Sequence, residues 1–136
     1  MSTRRIPCVG AVLVHEGRLL LVRRGRPPGE GLWSVPGGRV EAGETVAEAC
    51  GREVAEETGL RVRTGALLGT VERAAPGSGV YVIDDLDCTL DGPADARAGD
   101  DADEVRWVSR AELDSLPCVD GLLEALRGWQ VLDRLR

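Results

Sequence analysis

The sequence predicts an α/β or α+β fold, and three observations carry that reading. Short apolar runs with strand character, CVGAVLV, RLLLVRR and VYVIDDLDCTL, are bounded by Gly, Pro and charged residues. One stretch, 46–58, has helical rather than strand periodicity and is punctuated at both ends. The order of elements is strand pair, loop, short strand, helix, long strands and helix, without internal repeats, which suits a mixed sheet with helices. At 136 residues the chain is expected to form one domain, 1–136, around one core.

Taken in order, residues 7–15 and 18–24 form a hairpin of two mostly buried strands, with Glu16-Gly17 as the tight turn. The Pro- and Gly-rich stretch RGRPPGEGLW forbids regular structure. Trp33 to Gly38 lead into a short strand, expected at Arg39-Val40-Glu41, and then a turn at Ala42-Gly43-Glu44. Thr45 and Glu48 have capping-box spacing and Gly59 supplies a left-handed stop, so a helix should run from Val46 to Thr58. An extended segment follows at 61–73, with Gly65 and Gly69 as bulges or bends. After a loop at 74–79, the strand 80–90 places Tyr81, Ile83 and Asp85 on one face and Val82 and Asp84 on the other; its acids are expected to be mostly solvated. Residues 91–103 are the strongest loop signal, ahead of a final strand at Glu104–Val108. Ser109 and Glu112 repeat the capping-box spacing on a short helix closed by Pro117. A last helix is expected over 119–134, with Leu122, Leu123, Leu126 and Trp129 facing the core.

Composition narrows the function. Apolar residues make up 43% of the chain and charged residues 29%, and no apolar run is long enough to span a bilayer, so no membrane partner is expected. Residues 1–6 lack the apolar stretch of a signal peptide, which points to the cytoplasm. Cys8, Cys50, Cys88 and Cys118 form no CxxC pair and His15 is the lone histidine, a poor basis for a zinc or redox motif; the thiols should be reduced and mostly buried. A net charge of -6 argues against a nucleic-acid footprint. A small phosphorylated ligand remains compatible if a bound metal reverses the local charge.

The informative stretch is Gly38–Leu60, which holds six glutamates and two arginines. At about 100° per residue, Val46, Ala47, Ala49, Cys50 and Val54 form the arc that faces the protein. Glu53 and Glu57 fall inside that arc, and Glu56 lies at its edge. Carboxylates gathered on a protein-facing surface repel one another and take up protons unless a cation neutralises them. An all-oxygen donor set suits a hard divalent ion, Mg²⁺ first with Mn²⁺ as a substitute, and metal-assisted attack of water on phosphorus is the chemistry this suggests.

Gly38, five residues, Glu44, seven residues, Arg52-Glu53-Val54, one residue, Glu56-Glu57, one residue and Gly59-Leu60 resemble the complete signature of the Nudix hydrolases, with all nine defined positions filled. The resemblance implies an α/β/α sandwich with a mixed β-sheet between helices, covering nearly the whole chain. It implies Glu53 and Glu57 as principal metal ligands, Glu56 as a third ligand or the general base, and a metal contact from the Gly37 carbonyl. Arg52 would orient the glutamates and Glu44 would support them from behind or through a water. The general base is placed either in this helix or on a downstream loop, where Asp101, Asp103 and Glu104 are the candidates. Arg23, Arg24 and Arg26, together with Trp33, Asp101 and Glu104, are the candidate substrate contacts, Trp33 being more a packing residue than a stacking one.

The implied reaction cleaves the diphosphate of a nucleoside diphosphate linked to another group. ADP-ribose or a related nucleotide sugar is the first expectation, and a MutT-like nucleoside triphosphate pyrophosphohydrolase the alternative. A non-catalytic nucleotide-sensing domain is the rival of another class, although every signature carboxylate is retained. A homodimer is compatible with the family.

Overall fold

The computed structural model describes residues 3–27, 29–99 and 101–136. Met1, Ser2, Pro28 of the arginine-rich loop and Asp100 of the acidic loop lie outside the described residues. Among the described residues seven strands, β1 (Arg5–His15), β2 (Arg18–Arg24), β3 (Trp33–Ser34), β4 (Gly37–Arg39), β5 (Val62–Ala74), β6 (Val80–Leu90) and β7 (Ala102–Val108), form one mixed sheet in the order β3-β2-β1-β6-β5, with β4 added to β1 and β7 to β2.

Strands β1 (Arg5–His15) and β2 (Arg18–Arg24) are joined as expected by Glu16 and Gly17, both at positive φ (51° and 76°). That pair of conformations matches the twist of the flanking strands. The strands pair with each other only beside the turn, at Val14↔Leu19 and His15↔Arg18. The expected hairpin is thus confined to its turn end, and beyond it the two strands fork. β2 takes β3 (Trp33–Ser34) through Val22↔Ser34, while β1 takes β4 (Gly37–Arg39) through Cys8↔Arg39, Val9↔Gly38 and Gly10↔Gly37. The Ala11 N–H donates to the Pro36 carbonyl at 2.8 Å, so the segment between β3 and β4 is wedged in the fork. The short strand thus lies two residues earlier than expected, because Glu41 is held in the turn by the Glu44 carboxylate at 2.8 Å.

On its other edge β1 runs parallel to β6 (Val80–Leu90), in register from Arg5↔Val80 to Leu13↔Cys88. Antiparallel to β6 lies β5 (Val62–Ala74), whose register slips between Thr64 and Leu67 and again between Leu67 and Gly69, where Gly65 and Gly69 predicted bulges. β7 (Ala102–Val108) pairs with β2 and begins two residues before the expected Glu104.

Side-chain alternation along β1 separates two cores. Val9, Ala11 and Leu13, with Leu20, Leu86 and Cys88, face helix α1 (Val46–Thr58) and its buried Ala49, Cys50 and Val54. Val12, with Leu19, Leu21 and Val108, faces α2 (Arg110–Ser115) and α3 (Leu122–Gly128). The result is the expected sheet between helices.

Helix α1 has the predicted bounds: Thr45 and Glu48 form a reciprocal capping box, and Gly59 stops it at φ 74°. Ala47, placed on the inner arc by the wheel, is exposed. A capping box likewise opens α2 at Ser109 and Glu112. The single last helix expected over 119–134 is instead α3 followed by a separate 3-10 turn at Leu132–Arg134. Gly121 at φ 84° sets the late start, and left-handed Gln130 at φ 63° breaks the run so that Val131 enters the core. Cys8, Cys50 and Cys88 are buried free thiols, and Cys118 is half-buried. Among the described residues no helix is long and apolar enough to cross a membrane.

Candidate functional site

Helix α1 lies against β4 so that its acids reach the glycine pair Gly37-Gly38. A Cβ on Gly38 would lie 2.5 Å from Cδ and 2.6 and 2.7 Å from the two oxygens of Glu53, so only glycine lets that carboxylate come this close. The Gly37 N–H donates to Oε1 of Glu57 at 3.2 Å. Arg52 ties the remaining acids together. Its Nε and Nη2 grip Glu44 at 2.7 and 2.9 Å, Nη1 reaches Glu53 at 2.8 Å and Glu56 at 3.3 Å, and Nη2 also donates to the Arg39 carbonyl at 3.0 Å. The fork on Glu44 is the strong bidentate kind of charge-assisted hydrogen bond.

These contacts divide the acids electrostatically. The Arg52 guanidinium holds Glu44 down to about 2. Burial pushes Glu53 up against the pull of Arg52, and pushes Glu57 up to about 8, with the neighbouring Glu53 charge adding to the rise. The Arg52 guanidinium thus meets Glu44, Glu53 and Glu56 but not Glu57, on which Arg24 acts from further off, and the two deepest acids hold their charge at a cost. Among the described residues no three acidic, histidine or cysteine side chains converge on one point. Glu53 and Glu57 meet, whereas Glu56 is drawn outward to Arg52 and is the most exposed of the set.

Beside this wall opens a cavity of about 750 Å³. Gly37, Gly38, Glu53, Glu56 and Glu57 form one end. The floor is the face of the sheet carrying Cys8, Gly10, Val12, Tyr81, Ile83 and Asp85, and the far wall includes Asp120, Leu122 and Trp129. Arg24, Arg26 and Asp101 also line it, with Arg26 and Asp101 paired at 2.8 Å. The acidic loop is held there by two hydrogen bonds onto the C-terminal end of α1, Arg97 N–H to the Thr58 carbonyl at 2.9 Å and Gly99 N–H to the Glu57 carbonyl at 2.8 Å. Gly99 leaves no room for a side chain, since a Cβ would sit 2.0 Å from the Glu56 carbonyl oxygen.

The six substrate-contact candidates therefore separate. Arg24, Arg26 and Asp101 reach the cavity. Arg23 and Glu104 face each other across β2 and β7 at 3.6 Å, Glu104 also bonds Arg106 at 3.1 Å, and neither lines the cavity. Trp33 is buried in the core beneath α3, with the Arg106 guanidinium 5.6 Å from its ring, so it packs and does not present a stacking face to the cavity. Sequence reasoning missed Asp85. Rather than being solvated, it is 6% exposed and lines the floor. Tyr81, stacked under the Arg39 guanidinium at 5.7 Å, was placed on the correct strand face but not recognised as cavity lining. The available signal was the shared parity of Tyr81, Ile83 and Asp85; what covers that face is decided by strand pairing.

The model of the NUDIX domain matches residues 4–127. An ADP-ribose pyrophosphatase of Methanocaldococcus jannaschii is 37% identical over 112 residues, covering 80% of this chain and 63% of that protein. A MutT-like protein of Streptomyces ambofaciens is 32% identical over 108 residues, covering 79% of this chain and 66% of its own length. The chain thus spans about two thirds of these curated relatives. Among solved structures, a MutT protein from Methanosarcina mazei superposes with a TM-score of 0.80 at 26% identity, covering 98% of this chain and 96% of that one.

Proposed function

The chain belongs to the NUDIX domain family, and from that premise we propose that it is a divalent-metal-dependent pyrophosphohydrolase acting on a nucleoside diphosphate linked to a second group. The observation that carries this reading is the pair of half-buried carboxylates, Glu53 and Glu57, facing each other at one end of a nucleotide-sized cavity, both pushed up by desolvation although Arg52 and Arg24 act on them. Such a pair fits a hard cation, because only a positive charge lets both ionise at neutral pH. Glu53 and Glu57, with the Gly37 carbonyl, are the proposed ligands, and Glu56 is the third ligand or the base. Mg²⁺, or Mn²⁺ in its place, supplies Lewis-acid polarisation of the diphosphate and lowers the pKa of the attacking water.

Arg52 holds Glu53 in position, and Glu44 fixes Arg52 from behind through its two-pronged bond. Asp101 is the downstream candidate for the base that reaches the cavity, and Arg24 and Arg26 are placed to meet phosphate oxygens at the same site. ADP-ribose is the proposed substrate, supported by the similarity to the archaeal ADP-ribose pyrophosphatase. Similarity to MutT proteins favours the second reading, hydrolysis of nucleoside triphosphates.

A panel of ADP-ribose, nucleotide sugars and nucleoside triphosphates, with Mg²⁺ or Mn²⁺ and products identified by mass, tests the proposal. AMP and ribose 5-phosphate from ADP-ribose support the first reading, and pyrophosphate release from triphosphates the second. Tight nucleotide binding without turnover of any member would convert the protein into a sensor.

A further inference from the structure

We propose that Asp85 is a specificity-determining residue of this cavity, accepting a hydrogen bond from an uncharged donor on the nucleoside half of the substrate, either a sugar hydroxyl or a base amino group. The inference rests on the reading of the cavity as a nucleotide site and adds to it which end of the nucleotide lies where.

Asp85 is 6% exposed, and it lines the cavity. No hydrogen bond or ion pair among the described residues reaches its carboxylate; Arg73, the basic side chain that acts on it electrostatically, donates instead to the Asp120 carbonyl. No fully buried side-chain oxygen among the described residues lacks a partner, so the Asp85 oxygens, unbonded within the protein, open onto the cavity, where an incoming donor can reach them. Burial lifts its pKa to about 6, so at neutral pH it is mainly ionised and can only accept.

Strand register says what it can accept from. Asp85 pairs with Gly10 on β1, and Gly10 pairs with Gly37 on β4, so the three lie on one rung of the sheet and share a face. The Asp85 carboxylate occupies the place of the side chain that Gly10 lacks, 2.0 Å from where a Cβ would stand, with Val35 packed on the same spot. From there to Gly37 the floor is bare backbone. Two strand spacings, about 10 Å, separate Asp85 from the Gly37 end, where Glu57 is held. A diphosphate is repelled by an unpaired carboxylate and belongs at the end that gathers a cation. The nucleoside is then left over Asp85, on a floor whose other side chains, Cys8, Val12, Tyr81 and Ile83, suit a flat ring or a sugar face.

Calorimetric binding in Mg²⁺ of AMP, 2′-deoxy-AMP and purine riboside 5′-monophosphate, which lacks the 6-amino group, to the wild type, Asp85→Asn and Asp85→Leu tests this independently of turnover. The expected result is about tenfold to a hundredfold weaker AMP binding by Asp85→Leu, the range for a hydrogen bond to a charged group. At least one analogue should show that loss with the wild type and no further loss with Asp85→Leu; which one it is identifies the donor. Both variants should keep the wild-type melting temperature or exceed it, since each removes a charge that burial disfavours. Unchanged AMP binding, an equal loss for all three ligands, or no binding of any of them by the wild type would overturn the proposal. If AMP binding follows the expected pattern while the substrate panel gives no turnover, hydrolysis falls and this inference stands.

Discussion

Glu44, Glu53 and Glu56 on the α1 side of the cavity all touch one guanidinium, that of Arg52, whereas Asp85 on β6 makes no hydrogen bond or ion pair among the described residues and has the bare backbone of Gly10 beside it. Both regions bury acid, and they handle its charge in opposite ways. The first is a bonded network in which one cation fixes the direction of several carboxylates but leaves Glu57 under-compensated. The second is a single acceptor with no direct partner among the described residues, acted on from further off by Arg73 and Asp84. The contrast teaches that a carboxylate's role follows from what faces it: a crowd of acids calls for a metal ion, and a single acid on a smooth floor calls for a hydrogen-bond donor.

The largest expected effect breaks the first region only. Glu57→Gln should lower Mg²⁺-dependent turnover by about 10²-fold or more while the fold stays intact, as expected for loss of a metal ligand. Near-normal rates in the purified variant would remove Glu57 from the site. Arg52→Gln is expected to act one step less directly, raising the Mg²⁺ concentration for half-maximal activity by about 10- to 100-fold, the usual consequence of losing a partner that orients ligands. A fall in rate at saturating Mg²⁺ with an unchanged half-saturation would instead assign Arg52 to the substrate.

The smallest effect separates the two regions by pH. Glu57 is raised from 4.5 to about 8 and Asp85 from 3.8 to about 6, both chiefly by burial. An acid whose pKa is raised on folding contributes stability that is complete below its unfolded value and is lost as pH rises through its folded value. In metal-free buffer the melting temperature should therefore fall as pH rises from about 4 to 8. Asp85→Asn should remove the part of the fall below about pH 6, and Glu57→Gln the part that continues to about pH 8. Added Mg²⁺ at pH 8 should restore the melting temperature of the wild type and of Asp85→Asn, and restore much less in Glu57→Gln. Differential scanning calorimetry reads all three, and a response of Asp85→Asn identical to that of Glu57→Gln would merge two regions that the structure keeps apart.

The sequence by itself determined α1, its capping box, its glycine stop and the inward aim of Glu53 and Glu57, because capping hydrogen bonds and helical phase are set within a few residues of each other. It also determined the family signature, the bulges of β5 and the shared face of Tyr81, Ile83 and Asp85. Tertiary structure decided the rest. A period of two says which residues lie together on a strand but not whether solvent or protein covers them, so the burial of Asp85 followed only once β1 had placed Gly10 beside it. Trp33 joined the core, and Arg23 turned to Glu104, through the pairing of β2 with β3 and β7, partners distant in sequence. The last helix ended early because left-handed Gln130 carries Val131 into that same core. Burial and strand partners are non-local quantities, and they are what turned a legible row of glutamates into a cavity with two chemically different ends.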